Sequence, residues 1–176
     1  MMIDFINSVY TDEIAVPART ILIKEGSFTD KLFLVDKGSI RSWYKDGNKE
    51  VTIELFLENK FATSVEGFLF KEISLSNFET IEDCKLRCVS KENFDLYLNQ
   101  REHIKDEFYQ TLIKRLSIHN RRTIDLLKVK PEDRYRQLLS QEPDIIDRVP
   151  LHVIASYLGI TSVSLSRIRA RKELEV

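Results

Sequence analysis

Glycine and proline are scarce in this chain of 176 residues, five and four copies respectively, and that excludes a collagen-like or low-complexity polymer. Cysteine is scarcer still. Cys84 and Cys88 stand four residues apart in a stretch that reads as strand, a span of about 13 Å, too far for a disulfide within one straight strand. Buried strand cysteines of this kind serve as small core residues. No apolar run approaches the roughly 20 residues that a membrane-crossing helix needs. Met1 to Tyr10 places Asp4 inside its apolar stretch and offers neither a basic start nor a small-residue cleavage site, so no signal peptide and a cytoplasmic location are expected. The three histidines, His103, His119 and His152, all fall in predicted helices, which leaves the strand-rich part without a metal-binding cluster. His119 and His152 are expected at the surface or facing a partner. Gly-rich phosphate loops, Gly-x-Ser-x-Gly elbows and H-E-x-x-H are absent as well, so neither an enzyme nor a cofactor is expected.

What is present describes a core-forming chain, 43% hydrophobic and 31% charged, with a net charge of −1. The two parts differ. Residues 1–100 hold 17 Asp+Glu against 12 Lys+Arg, or −5, and residues 101–176 hold 11 against 15, or +4, which suits a carboxyl-terminal part that meets a polyanion. From Thr20 to Val89 the pattern is β-like: Ile21–Ile23, Leu32–Val35, Ile40–Tyr44, Val51–Leu57 and Lys85–Val89, divided by the glycine turns at Gly26, Gly38 and Gly47. Asp46-Gly47-Asn48 is a hairpin candidate. After Ser90, a plausible N-cap, apolar residues recur at three and four, and Glu102 to about Lys128 reads as one helix near 40 Å long. Along it Tyr109, Ile113, Leu116, Asn120, Thr123 and Leu127 form a heptad-like stripe. Such a stripe pairs with a copy of itself, or packs on the β part of the same chain. Pro131 breaks the long helix; Glu132 to Gln141 reads as a shorter one, ended by Glu142-Pro143-Asp144.

The last thirty residues are the most informative. Val149 to Arg169 has the spacing of a helix-turn-helix: Pro150 opens the first helix, small Ala155 lets the helices approach, and Gly159 permits a left-handed turn residue. Ile154, Leu158, Ile160, Leu165 and Ile168 supply the shared core. Itself a candidate DNA contact, Thr161 caps the second helix. Its outward face carries Ser162, Val163, Ser164, Ser166, Arg167, Arg169 and Arg171, hydroxyls and cations suited to a major groove.

With these residues in view the chain resembles the Crp/Fnr family of bacterial transcription regulators. Ile23-Lys24-Glu25-Gly26 and Leu32 to Arg41 resemble the family's glycine-marked β-roll turns, and Ala155 to Thr161 with Leu165 to Arg169 resembles its DNA reader. The resemblance implies an α+β chain in three parts: a jelly-roll or double-stranded β-helix of the cyclic-nucleotide-binding type over 1–100, a dimerisation helix over 101–128, and a helix-turn-helix domain over 129–176. Few residues follow Arg169, so a full wing is not expected. Family members that bind cyclic nucleotide carry a Gly-Glu pair and, about ten residues on, an Arg followed by Ser or Thr. Here Thr63-Ser64 and Ser74-Leu75 stand there, so cyclic AMP binding is not expected. Two cysteines without CxxC spacing also exclude the iron–sulfur centre of oxygen-sensing members.

By position in the resemblance, Arg167 is the candidate for guanine O6 and N7, with Arg169, Arg171 and Lys172 positioning the DNA backbone. Double-stranded DNA and a second copy of the chain are the implied partners, with an unidentified small-molecule effector or RNA polymerase as further candidates. An effector pocket would draw on Thr63, Ser64, Phe68, Ser74 and Leu75. The rival expectation is a ligand-free roll that serves only protein interaction and dimerisation.

Overall fold

The computed structural model describes residues 10, 12–100 and 102–173, with side chains except at 100, 102–104, 172 and 173. The expectations for Met1 to Val9, and for the side chains of His103 and Lys172, therefore lie outside the described residues. Eight strands come first: β1 Asp12–Val16, β2 Ile21–Ile23, β3 Lys31–Lys37, β4 Ile40–Asp46, β5 Lys49–Phe56, β6 Phe61–Ala62, β7 Asn77–Thr80 and β8 Cys84–Ser90. They form two antiparallel four-stranded sheets, ordered β1-β8-β3-β6 and β2-β7-β4-β5, and so a β-roll.

Strand β3 shows how sequence builds it. Its residues alternate between two cores. Phe33 and Val35 turn into the roll with Cys84, Leu86 and Cys88, while Leu32 and Leu34 turn outward onto Phe68 and Phe94. Being buried on both faces, Leu32–Val35 is an unbroken apolar run. The two cysteines are free thiols in the roll core, where burial pushes Cys84 up to about 11. Gly38 joins β3 to β4 with φ of 101°, and a Cβ there would lie 2.5 Å from Cys84 Sγ. Asp46 pairs with Lys49 around Gly47, closing the expected hairpin.

Seven helices are described: α1 Val65–Phe70, α2 Lys91–Gln100, α3 Glu102–Lys128, α4 Pro131–Gln141, α5 Pro143–Arg148, α6 Leu151–Tyr157 and α7 Ser162–Glu173. Ser90 does cap α2, its Oγ accepting from the Asn93 N–H at 3.2 Å. The sequence reading missed β1, β6, β7 and α1, all short. It also took Pro143 only as a stop, whereas Pro143 opens α5: proline lacks the N–H that a first helical turn leaves unpaired anyway, so it can begin a helix as well as end one.

Helices α4 to α7 share a core with the roll. Leu55 and Leu57 pack with Tyr135, Ile145, Ile154 and Leu165. The carboxyl-terminal helices are thus seated on the end of β5.

Candidate functional site

The turn between α6 and α7 is set by backbone hydrogen bonds. Gly159 takes φ of 67°, the Ile160 N–H donates to Ala155 O and the Gly159 N–H to Ser156 O, both at 3.0 Å, a Schellman closure. Thr161 then starts α7, its Oγ1 accepting from the Ser164 N–H at 3.1 Å. Leu165 is fully buried and holds the helix down. On the outer face Ser162, Val163, Ser166, Arg167 and Arg169 are exposed, and neither arginine has a carboxylate partner among the described residues. Three of the expected reader residues, Thr161 in its cap among them, are engaged elsewhere. The Ser164 hydroxyl lies 2.9 Å from Thr161 Oγ1 within the cap, and Arg171 pairs with Glu132 at 2.9 Å.

Two guanidiniums fix this unit from behind. Arg122 of α3 donates to Tyr157 O at 2.7 Å and to Ile53 O of β5, with its guanidinium carbon 4.0 Å from the centre of the Tyr157 ring. Burial pulls its pKa below the ordinary arginine value. Arg134 of α4 donates to Leu158 O at 2.8 Å and to Val129 O at 2.6 Å. Cations thus meet the free carbonyls at the carboxyl ends of α6 and α3, where the helix dipole favours them. Ser156 completes the joint: its Oγ accepts from the Thr52 N–H and donates to Glu50 O, both at 2.8 Å. Helix α6 is thereby bonded to the outer edge of β5, the end strand of its sheet.

The predicted stripe on α3 faces away from the roll. Tyr109, Ile113, Leu116 and Leu127 are exposed by 57%, 60%, 61% and 82%, and Asn120 and Thr123 are exposed too. Packing of this stripe on its own chain is therefore excluded. The opposite face of α3 meets the roll through Phe108, Leu112, Arg115 and His119. Between them lies a cavity of about 500 Å³. Arg115 donates to Glu54 Oε2 at 2.6 Å, and His119 Nε2 is 3.1 Å from the same oxygen. Burial pushes the Glu54 carboxyl up, but the His119 hydrogen bond and the Arg115 charge outweigh it and hold the group below its ordinary value. His119 is therefore half-buried against β5, with about a third of its side chain (34%) still exposed; His152 is exposed as expected.

Of the five expected effector residues, Thr63 and Phe68 line this cavity and Ser64, Ser74 and Leu75 do not. Thr63 Oγ1 donates to Lys31 O at 2.8 Å, Ser64 caps α1, and Ser74 Oγ donates to Ser76 O at 2.7 Å. Leu75 is 65% exposed. A cassette without its arginine has turned its hydroxyls onto its own backbone.

Residues 13–101 match the model of the cyclic nucleotide-binding domain. The chain belongs to that family. No curated protein sequence matches it, but solved structures do along nearly the whole length. FixK2 from Bradyrhizobium japonicum superposes with a TM-score of 0.82 at 15% identity, covering 95% of this chain and 86% of its own. The c-di-GMP responsive global regulator CLP of Xanthomonas campestris gives 0.74 at 20% identity, covering 99% and 91%. The Thermus thermophilus catabolite activator protein gives 0.61 at 17%, covering 98% and 83%. All three are Crp/Fnr regulators, and this cyclic nucleotide-binding-domain protein has their fold. No single described helix is long and apolar enough to cross a membrane.

Sequence reasoning did not find Glu54, Arg115, Arg122, Arg134 or Ser156. Arg122 had one legible signal: a cation on the face of α3 opposite the apolar stripe. Which carbonyls it meets depends on residues 35 to 69 positions away.

Proposed function

We propose that the chain is a DNA-binding transcription regulator of the Crp/Fnr type, acting as a homodimer. It divides into a sensor roll over 1–100, a dimerisation helix over 101–128 and a DNA-binding domain over 129–176. The observation that carries this is the exposed face of α7, where Ser162, Ser166, Arg167 and Arg169 stand free of acidic partners on a helix-turn-helix. The exposed stripe from Tyr109 to Leu127 supports pairing through α3, which would set two reader helices against successive major grooves. Val163, 61% exposed, would meet a thymine methyl in this reading.

Selection of bound sites from a random duplex pool tests it. A two-fold symmetric site is expected, and Arg167→Ala should cost about 1–3 kcal/mol at one base position of each half-site. Arg169→Ala should weaken all sequences alike and lower the salt dependence. Enrichment of no site, with or without effector, would end this reading.

The missing cassette arginine supports a roll that does not take cyclic AMP. A charge-assisted partner for the phosphate is gone, a loss of about 1.5–3 kcal/mol. Cyclic AMP at millimolar concentration should leave the melting temperature unchanged. The cavity beside α3 favours a small-molecule receptor over an empty platform.

A further inference from the structure

We propose that the cavity between the roll and α3 is a receptor site for an amphipathic organic anion: a single carboxylate on an aliphatic or aromatic body. The proposal rests on reading the roll as an effector domain, but its binding step is measurable without DNA.

Two features of the cavity point to that chemistry. The first is its apolar wall, built by Leu32, Phe56, Phe61, Phe68, Phe108 and Leu112. The aromatic part of that wall is fixed by packing. Phe94 stacks edge-on against Phe68 at 5.1 Å and against Phe108 at 4.9 Å, so the roll, α2 and α3 hold it together. A volume of about 500 Å³ suits a ligand of drug-like size or smaller. The cavity's two threonines are already engaged, Thr63 donating to the Lys31 carbonyl and Thr111 to the Glu107 carbonyl.

The second feature is charge. Lys60, Lys114, Arg115 and Arg122 line the cavity against Glu54 and Glu142. Glu54 is engaged by Arg115 and His119, and Glu142 by Lys60 at 2.5 Å. Arg122 and Lys114 remain without a carboxylate partner among the described residues. Arg122 is also desolvated and bonded only to neutral carbonyls. An anion entering on its apolar body would meet a guanidinium that has lost water and has no carboxylate at ion-pair distance, Glu54 acting on it only through space, a setting that favours binding of a carboxylate.

The same arginine links the site to the reader. Arg122 and Tyr157 both line the cavity, and Arg122 donates to Tyr157 O at the end of α6. A carboxylate on Arg122 competes with that carbonyl. Occupancy of the site therefore shifts the seat of the helix-turn-helix on β5.

Calorimetric titration of the full chain with 4-phenylbutyrate and with octanoate tests the proposal, each beside its uncharged amide. Saturable binding of at least one acid is expected, one per chain, at least tenfold tighter than its amide. Leu112→Trp, which fills the cavity, should weaken the acid at least tenfold. Should that variant not fold, the acid-to-amide ratio on the unaltered chain still decides. Equal affinity for acid and amide would overturn the charge reading, and so would absence of saturable binding by both acids at millimolar concentration. Acid binding by a chain that selects no DNA site would keep this inference and remove the DNA-binding function; DNA selection without acid binding would do the reverse.

Discussion

Replacing Arg122 by methionine keeps most of the side-chain stem and removes the guanidinium that joins α3, β5 and α6. The loss is calculable. The bond to Tyr157 O spans 2.7 Å and a second reaches Ile53 O, while a contact to Thr52 O at 3.4 Å is too long to count for much. Hydrogen bonds from a charged donor contribute about 1.5–3 kcal/mol each, and a desolvated cation stacked 4.0 Å over a tyrosine ring about 1–2. Against this gross value of about 5 kcal/mol stands relief of the buried charge, so the net cost is about 3 kcal/mol. With a urea slope of about 2 kcal/mol/M, the midpoint should fall by about 1.5 M. Two probes separate the parts of the molecule. Trp43, the one tryptophan, lies in β4 and reports on the roll, whereas circular dichroism at 222 nm is dominated by the helices. In the parent chain the two transitions should coincide; in Arg122→Met the helical signal should be lost at lower urea than the Trp43 signal. Coincident transitions with a midpoint within about 0.3 M of the parent would refute the idea that Arg122 fastens the helix-turn-helix to the roll. Arg122→Lys should fall between, since one ammonium cannot span both carbonyls.

Three further outcomes follow from the structure. Gly38→Ala forces a Cβ against Cys84 Sγ and the Asp83 carbonyl at φ of 101° and should cost about 3–5 kcal/mol by thermal unfolding, whereas Gly47→Ala, with open space and φ of 58°, should cost about 1–2. Leu116→Glu puts a charge at the middle of the exposed stripe and should convert a dimer to a monomer in sedimentation without altering the melting of the monomer, because the residue touches no core. Arg148 grips Glu58 through two hydrogen bonds and holds its carboxyl down to about 2, from 4.5 in the unfolded chain. The stability from this pair is whole above pH 4.5 and drains away as the pH falls toward 2. The full shift corresponds to about 3.4 kcal/mol, reduced to about 1 by the solvent exposure of both partners. Arg148→Gln should flatten the acid limb of the pH–stability curve between those values, and an unchanged limb would refute the assignment.

The legible parts of this fold were those whose signal is local. The glycine turns, the 3.6-residue period of α3 and the helix-turn-helix spacing each write themselves within about twenty residues. So the long helix was placed at Glu102 to about Lys128, where it runs. Short elements such as β6, with two residues, carry no period to read. The cavity was half legible: Thr63 and Phe68 line it because they flank β6 and α1, next to the absent cassette. Leu75 was expected there as an apolar residue at the cassette position and stands in solvent instead. The residues that give the cavity its charge come from α3 and β5, and nothing in either segment alone announces that they meet.

One long-range feature did leave a trace, and it bears on how the molecule works. Strand β5 ends its sheet, and Lys49 to Phe56 is long for an edge, carrying no proline to blunt it. An edge of that kind must be covered. Its outward groups are answered one by one: Glu50 O and the Thr52 N–H by Ser156, and Ile53 O by Arg122. Ile53 is also where the pairing with β4 slips by a residue, Ser42 opposing Glu54 and Trp43 opposing Thr52, so this bulge turns a carbonyl out of the ladder toward α3. The cover is therefore the helix-turn-helix itself, aligned by hydrogen bonds between the Ser156 side chain and the main chain of the same strand, whose next residues, Glu54 to Phe56, line the cavity. Side-chain packing tolerates small slides, but a hydrogen-bonded edge does not. A ligand that moves β5 by a fraction of an ångström must either carry α6 with it or break these bonds, and either outcome resets the angle at which α7 stands to the roll.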